Sequence, residues 1–160
     1  MQLATLCYIK KNNQTLMLHR VKKENDIHEG KWNGLGGKFE ASETPEECVI
    51  REVKEESGLN IFNPKLHGFI SFPAFDQVQD WFVFIFTASD FTGEIIDSEE
   101  GILQWIDDEK LDSLNLWEGD KIFMDWLNRD DFFSAKFIYK NKSLVSHSVN
   151  FHICSPQNFL

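Results

Sequence analysis

An α/β fold is what this sequence predicts, and three features carry the expectation. Short apolar runs rich in β-branched and aromatic residues recur along the chain, a strongly capped helix begins at Thr44, and a second, amphipathic helix lies among the later runs. With 160 residues, 42% of them hydrophobic, the chain is long enough to bury one core without disulfide or metal staples, so a single domain over 1–160 is expected.

Residues 3–10 (LATLCYIK) and 14–20 (QTLMLHR) are apolar runs around the turn-forming KNNQ and read as an N-terminal hairpin. From Val21 to Lys31 the chain is charged and aperiodic, hence a loop, and WNGLGGK follows with glycines that let the backbone approach a ligand. No role is assigned to Lys22 and Lys23, since a lysine pair on a loop is ordinarily solvated.

The helix signals are clearest at Thr44, an N-cap followed by Pro45 at the first helical position, with Glu47 completing a capping box and Gly58 as the C-terminal stop. KLHGFISFPAF and DWFVFIFTAS read as strands separated by the polar DQVQ, and GILQWI as another. DDEKLDSL and GDKIFMDWLNRD read as helices, the second with Ile122, Phe123, Trp126 and Leu127 on its apolar side. FFSAKFIYK and SLVSHSVNF flank Asn141-Lys142 as a C-terminal hairpin, and residues 152–160 form a tail expected to fray.

Composition narrows the function. Acidic residues outnumber basic ones 26 to 16, for a net charge of −10, which removes the positive field that binding to polymeric nucleic acid requires; if the chain binds phosphates, a cation must mediate. Cys7, Cys48 and Cys154 are an odd count with no CxxC spacing, which suits buried thiols in a reducing compartment. No apolar window approaches the roughly 18 residues of a membrane span, and no charged segment precedes an apolar run at the N-terminus, so a soluble, cytoplasmic protein is expected.

The most informative stretch is GGKFEASETPEECVIREVKEESGL, Gly36–Leu59, which holds seven of the chain's glutamates. Each helical residue advances about 100°, so Glu56 lies about 40° to one side of Glu52 and Glu55 about 60° to the other, on one face. Like charges so spaced repel, Arg51 is the one neighbouring cation on that face, and a hard divalent cation would offset the rest. Taken alone, such a stripe is ordinarily a solvated surface.

It does not stand alone. Gly37, Glu43 after five residues, and after seven more Arg51-Glu52-Val53-Lys54-Glu55-Glu56-Ser57-Gly58-Leu59 match every fixed position of GX5EX7REUXEEXGU, where U is aliphatic. The sequence therefore resembles the Nudix hydrolases, and the likeness extends to the MutT-like subgroup that acts on oxidised nucleotides, through WNGLGGK, DSEEGILQWI, LWEGD and FFSAKFIY.

That resemblance implies an α/β/α sandwich with a mixed central sheet, hydrolysing a nucleoside diphosphate linked to another moiety with a divalent metal, Mg²⁺ or Mn²⁺. It makes Glu52, Glu55 and Glu56 the metal ligands, with Glu52 or Glu56 orienting the attacking water, and the carbonyl of Gly36 or Gly37 a further ligand. Arg51 and Glu43 would fix the helix and its carboxylates, Lys38 would stand at the mouth of the phosphate site, and Glu100, with Glu99 as competitor, would be a general base from a loop.

For the base, the subgroup implies Asn33 pairing with a purine edge, Trp117 stacking on it, Asp120 pairing with it, Phe72 on the opposite wall, and Ile27-His28-Glu29 closing over the pocket. Each has an ordinary alternative: a turn asparagine before Gly34, and core aromatics at Trp117 and Phe72. The animal enzymes place two aspartates after a Trp-Pro pair, whereas here Glu118-Gly119 precede the single Asp120. The expected substrate is a small nucleotide, 8-oxo-dGTP foremost, for a monomer or homodimer. ADP-ribose, a dinucleoside polyphosphate, or nucleotide sensing without catalysis are the alternatives.

Overall fold

A computed structural model describes residues 1–153. Of the tail expected to fray, His152 closes the last strand, while residues 154–160, Cys154 among them, lie outside the described residues.

The chain begins with the hairpin of β1 (Gln2–Lys11) and β2 (Gln14–His19), turned by Asn12 and Asn13 at φ 50° and 58°. Positive φ at both central turn positions matches the right-handed twist of the strands, and asparagine tolerates it. There follow β3 (Trp32–Asn33), α1 (Pro45–Ser57), β4 (Asn60–Phe62), β5 (Lys65–Phe72), β6 (Trp81–Ala88), β7 (Asp90–Thr92) and β8 (Ile102–Asp107). A 3-10 helix (Asp108–Ser113), α2 (Glu118–Trp126), β9 (Phe132–Lys140) and β10 (Ser143–His152) complete the order.

Eight strands form one mixed sheet in the order β10-β9-β5-β6-β1-β2-β3, with β8 on β2. The pairs β1–β6 and β5–β9 are parallel and the rest antiparallel. Alternation along the strands divides the core: Cys7, Ile9, Leu16 and Leu18 face Val49 and Val53 of α1, whereas Tyr8 and Met17 face the side where Phe123 of α2 packs with Phe133 and Phe137. The sheet thus lies between two helices, an α/β/α arrangement.

The residues read as a helix at 107–114 form instead a 3-10 stretch, Asp108–Ser113, in which Leu111 is buried. The two-stranded ladder of β4 and β7 was not anticipated; its three-residue strands are too short to show a period. No helix among the described residues is long and apolar enough to cross a membrane.

One irregularity positions the site. β1 and β2 pair only from Ile9 to Lys11, then part, and the segment after β3 fills the fork: Cys7 exchanges backbone bonds with Leu35, and the Thr5 N–H donates to the Gly37 carbonyl at 2.9 Å. The glycine-rich segment is thereby fixed against the central strand, beside α1.

Candidate active site

α1 begins as its sequence demands: the Glu47 N–H donates to Thr44 Oγ1 at 3.1 Å, the Thr44 N–H donates to Glu47 Oε2 at 2.8 Å, and Gly58 ends the helix at φ 82°. Val49 and Val53 seat the helix on the sheet, which leaves Glu52, Glu55 and Glu56 to the side where Gly36 and Gly37 run. A Cβ at Gly37 would stand 2.4 Å from the Glu52 carboxyl carbon, so only glycine lets backbone and carboxylate come this close.

Arg51 organises the acidic cluster. Its guanidinium donates to both oxygens of Glu43, to the Lys38 carbonyl at 3.0 Å, to Glu52 Oε1 at 2.7 Å and to Glu55 Oε2 at 3.3 Å. Glu43 also accepts the Glu40 N–H at 2.8 Å, and the Arg51 hydrogen bonds hold its carboxyl down to about 2. The loop before the helix is in this way tied to the helix's second turn by a charge that stays ionised.

Glu56 takes a different partner, accepting the Gly36 N–H at 3.1 Å. Burial pushes its carboxyl up to about 8 although that hydrogen bond lowers it, and the nearby charges of Glu52 and Glu100 add to the rise while Arg20 opposes it. Burial also raises Glu52, against the hydrogen bond and charge of Arg51. Both shifts come first from burial, so the charged form of these carboxylates is disfavoured until a cation joins them.

Among the described residues no three His, Cys, Asp or Glu side chains already converge as a metal-binding group, because Arg51 draws Glu52 and Glu55 toward itself. The donor set still fits a hard divalent cation, the metal class that Nudix hydrolases use: three carboxylates on one helix face, two of them against a backbone cleared of side chains. The Gly37 carbonyl already accepts the Thr5 N–H, which leaves the Gly36 carbonyl the freer of the two.

Glu100 lies close enough to Glu56 for its charge to raise that carboxyl. It pairs with Lys23 Nζ at 2.6 Å and with Arg20 at 3.7 Å, so Lys23, read from the sequence as merely solvated, has a defined partner. Glu99 is exposed. Lys38 is exposed and stands 5.4 Å over the Trp81 ring, which fixes where its ammonium sits.

The aromatic end is assembled differently. Trp117 is 4% exposed, its indole N–H donates to His28 Nδ1 at 2.9 Å, and Lys31 Nζ stands 5.0 Å from the centroid of its ring. Phe75, Tyr139 and His28 meet it edge to face at 5.1, 5.5 and 5.7 Å. A base cannot stack on Trp117 in this conformation without displacing one of these neighbours, and a cavity of about 340 Å³ opens beside it between Ile27, Phe75, Gln77 and Tyr139.

Phe72 packs on Phe75 at 5.7 Å and on Tyr139 at 6.4 Å, behind the cavity rather than on its surface. Asn33 is buried, on β3 opposite Leu18. Asp120, 8% exposed, has no hydrogen-bond partner for its carboxyl among the described residues, and burial pushes that group up to about 7 while Lys31 lowers it.

Phe75 and Tyr139 were not singled out from the sequence as pocket residues. A signal existed for Tyr139, which continues the two-residue period of the inward Phe133, Ala135 and Phe137. None existed for Phe75, held past the end of β5 by a turn in which Asp76 accepts the N–H groups of Val78 and Gln79 and the Trp81 indole.

Comparison with known proteins agrees with this geometry. A model of the NUDIX domain matches residues 1–127. The uncharacterized Nudix hydrolase YvcI of Bacillus subtilis is 34% identical over 131 residues, 79% of each chain. The oxidized purine nucleoside triphosphate hydrolase of Danio rerio is 31% identical over 123 residues, 77% of this chain and 79% of that one. The crystal structure of a MutT protein from Bacillus halodurans superposes with a TM-score of 0.83 at 33% identity, covering 94% of this chain and 98% of that one. With the glutamate helix, the glycine segment bound to β1 and the sandwich around them, the chain belongs to the Nudix hydrolase family.

Proposed function

We propose that the protein is a Mg²⁺-dependent nucleoside triphosphate diphosphatase of the nucleotide-pool-sanitising kind, with 8-oxo-dGTP as its favoured substrate and a nucleoside monophosphate and pyrophosphate as products. The observation that carries the hydrolytic reading is the pair Glu52 and Glu56, buried against Gly37 and Gly36, with Glu55 on the same helix face at Arg51. The purine reading is supported by the aromatic cluster at Trp117 and by the activity named for the Danio rerio relative.

Glu52, Glu55, Glu56 and the Gly36 carbonyl would hold the cation, with Mn²⁺ as a substitute; bound there, it supplies Lewis acidity toward the diphosphate and activates the attacking water. Glu52, Glu56 or Glu100 accepts the proton of that water. Arg51 and Glu43 keep the carboxylates aimed, and Lys38, steadied over Trp81, meets the phosphate chain. Asn33 and Asp120 read the base edge, with Trp117 and Phe72 as aromatic walls once the cavity opens. The neutral carboxyl that burial favours at Asp120 can donate as well as accept a hydrogen bond.

The same reading makes the substrate a free nucleotide rather than a polymer, and the protein a cytoplasmic monomer or homodimer. Turnover of 8-oxo-dGTP, dGTP, other dNTPs and ADP-ribose with Mg²⁺ tests it. The expected result is a kcat/KM for 8-oxo-dGTP at least about tenfold above that for dGTP, the scale of one good polar contact. Equal values would sink the oxidised-purine preference, and a dominant ADP-ribose activity would replace it.

A further inference from the structure

Glu100, beside the α1 carboxylates, and Trp117, in the aromatic cluster, are joined by a continuous line of polar contacts. Arg20 stands just beyond the end of β2, and its backbone is held twice: its N–H donates to the Lys31 carbonyl at 2.9 Å, and its carbonyl accepts from the Gly30 N–H at 2.7 Å. Both Nε and Nη2 of its guanidinium reach Asp26 Oδ2, at 2.9 and 2.7 Å, and Nη2 is 3.7 Å from Glu100 Oε2. Asp26 uses its other oxygen to accept the His28 N–H at 3.1 Å, and His28 Nδ1 accepts the Trp117 indole N–H at 2.9 Å.

These are not the loose pairs of a charged surface. The side chains of Arg20 and Asp26 are 17% and 11% exposed, whereas Lys23, the other cation on Glu100, is 50% exposed. A guanidinium fork on a pinned backbone has little freedom to satisfy Asp26 in a second way. Moving Trp117 or His28 to admit a base therefore pulls on the Asp26 end of the fork and shifts what Glu100 meets.

We infer that Arg20, anchored by Asp26, is a positioning residue that ties occupancy of the base pocket at Trp117 to the placement of Glu100 beside the metal-binding carboxylates. This rests on the proposed purine triphosphatase function. It gives the enzyme a way to express base identity in kcat as well as in KM. Because linkage between two binding sites is reciprocal, a base that brings Glu100 toward the cation and a cation that holds it there must strengthen each other by the same factor.

The test uses the full chain and a purine nucleoside, 8-oxo-deoxyguanosine, which has no phosphate for a cation to touch. Calorimetry gives its dissociation constant with and without Mg²⁺, and kcat for 8-oxo-dGTP is measured alongside. In the wild type Mg²⁺ tightens the nucleoside by roughly five- to tenfold. Asp26→Asn, whose amide oxygen still accepts the His28 N–H, abolishes that coupling and lowers kcat about tenfold; in a Glu100→Gln background the same change costs no further kcat.

Coupling that survives in Asp26→Asn, kcat losses that multiply in the double variant, or a lowered melting temperature with both readouts intact would overturn the inference. Should Asp26→Asn fail to fold, Arg20→Lys, which keeps the charge and loses the fork, and His28→Phe, which cuts the last link, make the same comparison. A wild type that neither binds the nucleoside nor hydrolyses a purine triphosphate brings down the substrate reading and the inference together. A wild type that does both, with coupling unchanged in the variants, brings down the inference alone.

Discussion

The acidic face of α1 and the aromatic cluster around Trp117 are two recognition surfaces of opposite construction. The first draws its ligands and their tethers from the span between Gly36 and Glu56, and charge does the organising, with Arg51 and the glycine backbone holding carboxylates that repel one another. The second gathers Ile27 and His28, Lys31, Phe72 and Phe75, Trp117 and Asp120, and Tyr139 from segments far apart in sequence, and edge-to-face contacts do the organising. Compact ionic sites of the first kind suit chemistry common to many substrates, since phosphate is the same in each. Dispersed aromatic sites suit discrimination, because any one segment can change without disturbing the rest.

The sharpest way to break that contrast is to remove charge from the acidic face without changing its shape. Glu56→Gln and Glu52→Gln are expected to lower kcat by roughly 10²–10⁴-fold. The fold, and the affinity for a purine nucleoside measured without Mg²⁺, should change little, since neither carboxylate is a packing residue of the core. Steady-state kinetics with circular dichroism and nucleoside calorimetry checks this. Full activity in both variants would remove the metal assignment from α1.

A smaller effect separates the surfaces by pH. Asp120 is an ordinary carboxyl raised to about 7 by burial, so its folded-state pKa lies above its unfolded one. Below about pH 4 it is protonated in both states and costs nothing; as pH rises through 7 the fold must bury a charge, and stability falls across that window. Asp120→Asn is therefore expected to raise stability at pH 8 by roughly 2–4 kcal/mol and to be nearly neutral at pH 4. Thermal melts at the two pH values decide it, and equal shifts at both would show that the carboxyl is not strained by burial. The same variant should weaken substrate binding, as expected of a strained group kept for recognition.

The sequence was legible where neighbours along the chain are also neighbours in space. The Thr44–Glu47 capping box, the Gly58 stop, the single face of Glu52, Glu55 and Glu56 and the Asn12-Asn13 turn all follow from local rules, and all are present. β4 and β7 were not legible, because their pairing depends on residues thirty apart and each strand is three residues long. The site divides in the same way. Glu43 reaching Arg51 across less than three helical turns could be read from spacing, while Arg20 reaching Glu100 and His28 reaching Trp117 depend on how β2, β8 and the start of α2 meet.

His28 yields the smallest of these effects and the one most particular to the aromatic surface. The Trp117 indole can only donate, so His28 Nδ1 must carry a lone pair and the ring must be neutral, with its proton on Nε2. Burial, with Arg20 nearby, lowers the group to about 4 from its ordinary 6.5. The folded-state pKa is thus below the unfolded one: the stability is fully present above pH 6.5 and falls by roughly 1–3 kcal/mol as pH drops from 6.5 toward 4, because the buried ring stays neutral while the unfolded one takes a proton. In the folded protein the ring takes its proton only near pH 4, so the KM for a purine triphosphate should rise several-fold as pH falls from about 5 toward 4. His28→Phe keeps a flat ring against Phe75 but cannot accept the indole N–H, and it should show the raised KM at every pH, without the further rise below about pH 5. If the variant keeps the wild-type rise at low pH, protonation of a group other than His28 governs the aromatic surface there.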